Sequence, residues 1–345
     1  MSRMSDIYFY KILAQKALDV FGIKNCRIKF IQFAGNSLFR VYEKSPKTNI
    51  DRDDPFLNGQ YLIRIHDKIE QKTDAIELEM EWLKSMRDKS ALPIPEPICT
   101  PKGNLVVQVS TSKFQDKRDC TVLKWLKGRH ITKNIKPHHY FAQGKIMAQL
   151  HNHSAAYPVR LNTSKRRFDY KGLFIDDAGA NFPNSKAWSF LPEKQKEAYE
   201  IVAQRVKKQM KIWGKNPEVF GLIHGDCGVD ANVLFHRGNA HIIDFDGSGF
   251  GYYLYDLALA LEHCWNDPNY DQFQKALIMG YREHRKLSEN QIKYIELFRA
   301  AFYVYMGLWT LAIDQTFPDS KSRKSRHDKW LGYGYRFIKK YLNNS

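Results

Sequence analysis

The sequence predicts an α+β fold in two lobes: a small β-rich lobe over residues 1–127 and a larger, mostly helical lobe over 128–345. Three observations carry that expectation. In the first third, apolar and polar residues alternate in short runs between turn residues, the period-two pattern of half-buried strands. From Lys127-Gly128-Arg129 onward, apolar residues recur at three- and four-residue spacing, the stripe of amphipathic helices. Finally, 345 residues at 43% hydrophobic and 14% aromatic suit one bilobal unit or two domains with a large core.

The N-terminal stretch MSRMSDIYFYKILAQKALDVFGI reads as a helix. Asp6, Lys11, Gln15, Lys16 and Asp19 interrupt it too often for the apolar core of a signal peptide. Cys26 to Phe33 and Leu38 to Tyr42 alternate like strands, joined by Ala34-Gly35-Asn36-Ser37. The backbone amides and serine hydroxyl of such a turn can cradle phosphate, although a plain hairpin has the same composition. Residues 51–59 read as a polar loop and Tyr61 to His66 as a third strand, with Arg64 directed opposite to Leu62 and Ile63. Ala75 to Met86 is an amphipathic helix with Ile76, Met80 and Leu83 on one face and Glu79 near its edge. The successive prolines of Leu92-Pro93-Ile94-Pro95-Glu96-Pro97 forbid helix and central strand, so this segment is an extended connector. Asn104 to Val109 and Thr121 to Leu126 read as strands, split by a polar loop from Ser110 to Asp119.

In the second lobe, Lys136 to His153 and Ala198 to Trp213 read as helices, separated by a basic loop from Arg160 to Asp177. His139, His151 and His153 match no metal spacing and read as structural. Residues Leu222 to Leu261, LIHGDCGVDANVLFHRGNAHIIDFDGSGFGYYLYDLALAL, hold the chemistry. Val233-Leu234-Phe235 and Ala240 to Ile243 are short strands around His236-Arg237-Gly238-Asn239. A turn centred on Gly238 sets Asn232 opposite Asp244, with Cβ atoms roughly 4.5–5.5 Å apart. A neutral and an anionic oxygen at that separation suit one hard divalent cation that keeps waters and phosphate oxygens as its other ligands. Asp226, just upstream, is free to accept a proton from an incoming hydroxyl. Together these make a phosphoryl-transfer constellation. Beyond Asp256, the spans Leu257–Cys264, Tyr270–His284, Glu289–Ile313 and Trp330–Tyr341 read as helices, and Phe298, Phe302, Tyr305, Met306 and Trp309 form an aromatic core stripe.

Composition excludes several classes. Five scattered cysteines without a CxxC pair make neither a disulfide framework nor a zinc site, and they point to a reducing cytoplasm; Cys227 reads as a packing residue. The longest apolar run, Ala300 to Ile313, is too short to span a bilayer, so no membrane partner is expected. The net charge of +17 is spread over Lys165-Arg166-Arg167, Lys207-Lys208, Lys321 to Arg326 and Lys339-Lys340, without interleaved aromatics. That pattern fits a solvated surface better than a nucleic-acid interface. It also disfavours polycationic aminoglycosides as substrates.

The Leu222–Leu261 stretch resembles the aminoglycoside phosphotransferase superfamily, whose members have a protein-kinase-like fold, in its stress-response kinase A and type II homoserine kinase branch. The resemblance runs from about Phe33 to the C-terminal helices. It implies Asp226 as catalytic base, Asn232 and Asp244 as Mg²⁺ ligands, and Asp256 as a brace for the loop. On the nucleotide side it implies the Gly35-Asn36-Ser37 turn, an Arg64–Glu79 pair in place of the usual Lys–Glu, and a hinge at Trp125-Leu126 for adenine. The spacing of Glu79 to Trp82-Leu83 resembles the family's ELxWL pattern. Five residues separate Asp226 from Asn232 where the family has four, a difference that a one-residue bulge would absorb. The family's C-terminal helices wall the acceptor pocket, which makes Tyr305 and Trp309 candidates for substrate contact. The expected activity is ATP- and Mg²⁺-dependent transfer to a hydroxyl of a small molecule or a protein Ser/Thr. An antibiotic phosphotransferase (macrolide, hygromycin or aminoglycoside), a nucleotide-binding pseudokinase and a nucleic-acid binder remain alternatives at this stage.

Overall fold

The computed structural model describes residues 3–44, 54–67, 71–112, 117–158, 163–176, 183–317 and 322–344, without the side chains of 3–6 and 34. Residues 51–53, 113–116, 160–162, 177 and 321, which fall within the expected loops and basic runs, lie outside them. The chain divides into two compact units, Met1–Arg129 with His241–Asp246, and His130–Ala240 with Gly247–Ser345.

The first unit contains α1 (Arg3–Val20), β1 (Cys26–Ala34), β2 (Asn36–Glu43), β3 (Phe56–Ile65), α2 (Thr73–Lys89), β4 (Val107–Val109) and β5 (Arg118–Leu126). Its antiparallel sheet has the order β1-β2-β3-β5-β4. Alternation along each strand gives the sheet two different faces. Phe39, Val41, Ile63, Ile65, Cys120 and Val122 form one face, buried with Leu13, Ala14, Ala17 and Leu18 of α1. On the other face, Leu38, Arg64 and Thr121 stand in one row across β2, β3 and β5, with Arg40, Leu62 and Leu123 in the next. Arg64 therefore shares a face with Leu62, contrary to expectation, and Ile63 is the residue directed to α1. The polar loop expected over 51–59 ends earlier as well. Phe56 is buried and pairs with Leu126, so β3 begins there and carries an irregularity before Tyr61. Conversely, no strand runs from Asn104 to Val106. The Thr100 carbonyl accepts the Gly103 amide and its hydroxyl accepts the Asn104 amide, closing a turn that delays β4 to Val107.

The second unit contains α3 (Pro137–Ala156), β6 (Arg166–Phe168), α4 (Tyr170–Phe174), α5 (Asn184–Ala187), α6 (Glu193–Trp213), β7 (Phe220–Ile223), β8 (Val233–His236), the start of β9 (Asn239–Ile242) and β10 (Gly249–Tyr252). There follow α7 (Tyr253–Ala260), α8 (Tyr270–Arg282), α9 (Glu289–Ile292), α10 (Ile295–Thr316), α11 (Arg323–Arg326), a π-helical turn over His327–Tyr333, and α12 (Gly334–Asn343). The segment expected as a basic loop contains β6 and α4. β6 finds a partner in β10, to which it runs parallel, and β10 also pairs antiparallel with β7. Asp169 caps α4 by accepting the Gly172 amide at 3.0 Å, and it binds Arg167 and Lys215, each at 2.5 Å. Those basic residues are thereby fixed.

The hairpin turn is Arg237-Gly238, with φ of 49° and 80°, the two left-handed residues of a two-residue loop. His236 and Asn239 are the flanking strand ends, so the register is displaced by one position from a turn centred on Gly238 alone. In the aromatic stripe, Phe298, Phe302 and Tyr305 are core as expected, with Phe298 stacked on Trp213 at 5.6 Å between centroids.

The contact between α3 and α8 depends on missing side chains. A Cβ on Gly280 would strike the Phe141 carbonyl oxygen, and one on Gly144 would lie 2.8 Å from the Tyr281 amide nitrogen. Helix propensity alone favours Gly→Ala by about 1 kcal/mol. Here the obstacle is backbone, which cannot step aside, so sterics should win. Gly280→Ala is expected to destabilise by about 1–3 kcal/mol, read as a lower urea midpoint. An unchanged or higher midpoint would mean the helices are not held at this approach.

Candidate active site

In the second unit the loop after β7 is suspended from one buried carboxylate. Asp256, 1% exposed in the first turn of α7, accepts the His224 amide on Oδ2 and the Gly225 amide on Oδ1, both at 2.8 Å. Gly225 has φ of 77°, and a Cβ there would lie 2.6 Å from the Phe168 ring and 2.7 Å from the Gly247 oxygen. The glycine of His-Gly-Asp is thus required by both conformation and space.

His151 lies against the same carboxylate, its Nε2 3.1 Å from Asp256 Oδ2 and its Nδ1 2.9 Å from the Tyr281 hydroxyl. A carboxylate can only accept, so Nε2 carries the proton and Nδ1 accepts from Tyr281. Burial depresses the His151 pKa, Arg285 and His224 add to this, and the contact with Asp256 opposes it. His151 is therefore the neutral anchor of Asp256, a structural role of the kind the sequence suggested.

This scaffold presents Asp226, exposed to solvent, with its amide on His224 Nδ1 at 3.2 Å. Asn232 donates its side-chain amide to the Asp226 carbonyl at 2.8 Å and to Asp226 Oδ2 at 3.0 Å. The extra residue between them is taken up as a full turn, not a bulge. The Gly228 carbonyl accepts both the Ala231 and Asn232 amides at 3.1 Å, winding 228–232 into one helical turn. Cys227 is fully buried and its thiol is pushed well above the ordinary range, first by burial and then by Asp256, so it is a packing residue. Gln143, which the sequence did not single out, donates to the Cys227 carbonyl at 2.7 Å and fixes the loop from α3. His263, also missed, sits 3.3 Å from Asp230 on the same turn.

In the first unit, Arg64 is 2% exposed and donates to Glu79 Oε1 at 2.5 Å. Its Nη1 lies 4.0 Å from Asp244 Oδ1. Burial works against the guanidinium charge, but Glu79, Asp246 and Asp244 outweigh it. Asp244 is half-exposed and left-handed, with φ of 65°. Asn36 is 4% exposed, and its side chain is engaged internally: Nδ2 donates to Asp246 Oδ2 at 2.9 Å while Oδ1 accepts the Asp67 amide. Gln71 binds Asp246 too. Glu79, Asp244 and Asp246 thus gather about Arg64, and Asn36 holds Asp246, whose only signal in the sequence was the second acid of Asp244-Phe245-Asp246. Gly35 has φ of 70° in the tight β1–β2 turn, and Ser37 is buried beside it. At the end of β5, Trp125 is covered on one face by the Arg40 guanidinium, 3.9 Å from its centroid, and Leu126 is buried. Among the described residues, no three His, Cys, Asp or Glu side chains converge as a metal cage, and no helix is long and apolar enough to cross a membrane.

The profile of the phosphotransferase enzyme family matches residues 33–289, and the chain belongs to that family. Its fold is shared by a microcompartment-associated aminopropanol kinase (TM-score 0.76, 20% identity, 97% of this chain and 98% of that one). It is shared likewise by an amicoumacin kinase solved with AMP-PNP and Ca²⁺ (0.73, 16%, 98% and 96%), and by a spectinomycin phosphotransferase (0.58, 16%, 96% and 93%). A curated relative from Arabidopsis thaliana, a probable acyl-CoA dehydrogenase, is 24% identical over 207 residues, or 57% of this chain; the match spans about a quarter of that relative's length (24%). The α+β kinase-like fold and the phosphotransferase class expected from the sequence both hold.

The suspended loop can be tested in two ways. Asp256→Ala strands two buried backbone donors and the His151 N–H, at about 1–3 kcal/mol per orphaned group; chemical denaturation should show a loss of several kcal/mol, with Asp256→Asn intermediate because its oxygen still accepts. A variant as stable as the parent would remove Asp256 as the support. Second, native His151 resists protonation that the unfolded chain accepts below about pH 6.5. Its contribution is complete above that pH and declines as pH falls below it. His151→Gln should flatten the stability-versus-pH curve between pH 7 and 5, and an unaltered slope would contradict the assignment.

Proposed function

We propose that this protein transfers the γ-phosphoryl group of ATP to an alcohol hydroxyl of a small molecule, with Mg²⁺ as the metal. The observation that carries this reading is the Asp226–Asn232 pair. Asn232 spends its side-chain nitrogen on Asp226, which leaves its carbonyl oxygen without a partner among the described residues, and oxygen is the ligand that Mg²⁺ prefers. Asp226 Oδ1 likewise accepts nothing among the described residues, so it is available to an acceptor hydroxyl. Asn232 through that oxygen and Asp244 through its exposed carboxylate are the residues that would hold Mg²⁺. The ion would supply charge neutralisation at the phosphates.

On the nucleotide side, Arg64 would steady the phosphates, with Glu79 fixing the guanidinium and cancelling its buried charge. The Gly35-Asn36-Ser37 turn would contribute through its backbone and Ser37, because the Asn36 side chain is committed to Asp246. The half-buried Leu38 and Leu62 beside Arg64, with Trp125 and Leu126, offer apolar surface and hinge backbone to a purine. Asp226 would orient the acceptor hydroxyl and take its proton as the new O–P bond forms and the bond from the γ-phosphorus to the leaving ADP breaks. The antibiotic alternative has no support in the charge of this chain, +17, which repels polycations.

Asp226→Ala should retain ATP binding while phosphoryl transfer falls by about 10²–10⁴-fold, the usual worth of a positioned base. Labelled-phosphate transfer into fractionated metabolites and nucleotide-binding calorimetry measure the two effects. Chelation with EDTA should abolish transfer and added Mg²⁺ restore it. Undiminished transfer in the variant would take Asp226 out of the mechanism.

A further inference from the structure

We propose that the phosphoryl acceptor is an alcohol bearing an anionic group, which Lys324 and Lys329 hold in a cavity beside the catalytic loop; this rests on the phosphotransfer reading above. The cavity, of about 710 Å³, lies wholly within the second unit and is lined by His263, Lys324, Ser325, Asp328, Lys329 and Tyr333. It is a depression broadly open to solvent rather than an enclosed chamber.

His263 joins this cavity to the catalytic loop. Its Nε2 is 3.3 Å from Asp230 Oδ1, on the turn that starts two residues after Asp226, and would lie 3.7 Å from a Cβ on Gly228. The opposite wall is a helical segment whose orientation is fixed by a single carboxylate. Asp314, 4% exposed, binds Arg323 at 3.2 Å, Arg326 at 2.9 Å and His327. Burial opposes its ionisation, but the hydrogen bonds from His327 and Arg326 and the nearby arginine charge overcome it and hold the carboxyl below its ordinary range. Trp330 packs edge-on to Phe302 at 5.5 Å. With 323, 326 and 327 bound to Asp314 and 330 packed on Phe302, residues 324, 325, 328 and 329 are left to the other face by helical periodicity, and they line the cavity. Lys329 is steadied by its ammonium lying 4.0 Å from the Trp330 ring centroid.

The charges in the cavity are segregated. On the loop side, Glu262 at 2.5 Å and Asp230 are matched against His263, whose pKa they raise in spite of burial. On the helical side stand two ammonium groups against the single carboxylate of Asp328. Lys324 and Asp328 have no ion pair within 4.0 Å among the described residues. An acceptor with a hydroxyl at one end and a phosphate or carboxylate at the other matches this polarity. An amino alcohol of the same size would set its ammonium against two lysines.

The test compares glycerol 3-phosphate, glycerol and 3-amino-1,2-propanediol, three probes with a common hydroxyl-bearing skeleton. Binding is read by calorimetry and tryptophan fluorescence without ATP, so it does not depend on turnover. Glycerol 3-phosphate should bind at least tenfold tighter than the other two and weaken as salt is raised. The advantage should vanish in Lys324→Glu/Lys329→Glu and shrink in Lys324→Gln/Lys329→Gln, with nucleotide binding unchanged as the control for folding. Equal binding of the three probes, preference for the amine, or an advantage that survives in the double Glu variant would each overturn the proposal. Anion-selective binding without any labelled transfer from ATP would instead refute the phosphotransfer reading and leave the anion preference of the cavity standing.

Discussion

Asp256 carries a structural demand on which the whole loop after β7 depends. Two consecutive backbone amides, those of His224 and Gly225, are turned to the same carboxylate, and each takes one of its oxygens. Without an acceptor there, both donors would be buried and unmet, at a cost comparable to a sizeable part of a domain's net stability of about 5–15 kcal/mol. His151 and Tyr281 extend the chain of hydrogen bonds to α3 and α8, so the loop is referenced to the packing of those helices. Their axes approach closely because Gly144 and Gly280 present bare backbone. Loop geometry and helix contact are therefore parts of one constraint.

A second constraint is electrostatic. Arg64 and Glu79 are both almost fully buried, and such a pair gains little over an apolar replacement, yet removing one member typically costs about 3–5 kcal/mol. The pair therefore sets position more than stability. An arginine here is not a faulty lysine. Its planar fork donates to Glu79 from Nη2 and lies within reach of Thr121 through Nε, while Nη1 remains directed at Asp244. A lysine ammonium, a single point charge, could not occupy all three directions at once.

Most of the architecture was legible because the periodicities were clean. Strands β1, β2 and β5 and helices α2, α3 and α6 lie within a few residues of their expected bounds. What escaped was set by partners distant in sequence. β6 looks like part of a basic loop until β10, some 80 residues later, offers it a ladder, and Arg167 within it is paired with Asp169. The faces of β3 could have been read correctly from period-two alternation, since Arg64 and Leu62 are two apart. The five-residue spacing from Asp226 to Asn232 was visible, but not its resolution as a helical turn, which depends on the Gly228 carbonyl accepting two amides. Gln143 and His263 gave no local signal at all. Each is a polar residue within a helical pattern, and its role exists only where the loop meets it.

Asp244 shows how a strained acidic residue can be kept in place. A left-handed non-glycine residue costs on the order of 1–2 kcal/mol. The strain is held by the next two residues of the chain. Phe245 is 1% exposed and packs edge-on to Trp82 at 5.6 Å, while Asp246 is bound by Asn36 and Gln71. Together these anchors fix the chain just beyond Asp244, so its backbone must turn sharply and its carboxylate is left facing solvent within 4.0 Å of Arg64. If the purpose were stability alone, a glycine or asparagine would relieve the strain and bring no negative charge. An aspartate at that angle fits the metal-holding role proposed for Asp244 above, since half-exposed carboxylate oxygens are what a hard cation takes as ligands.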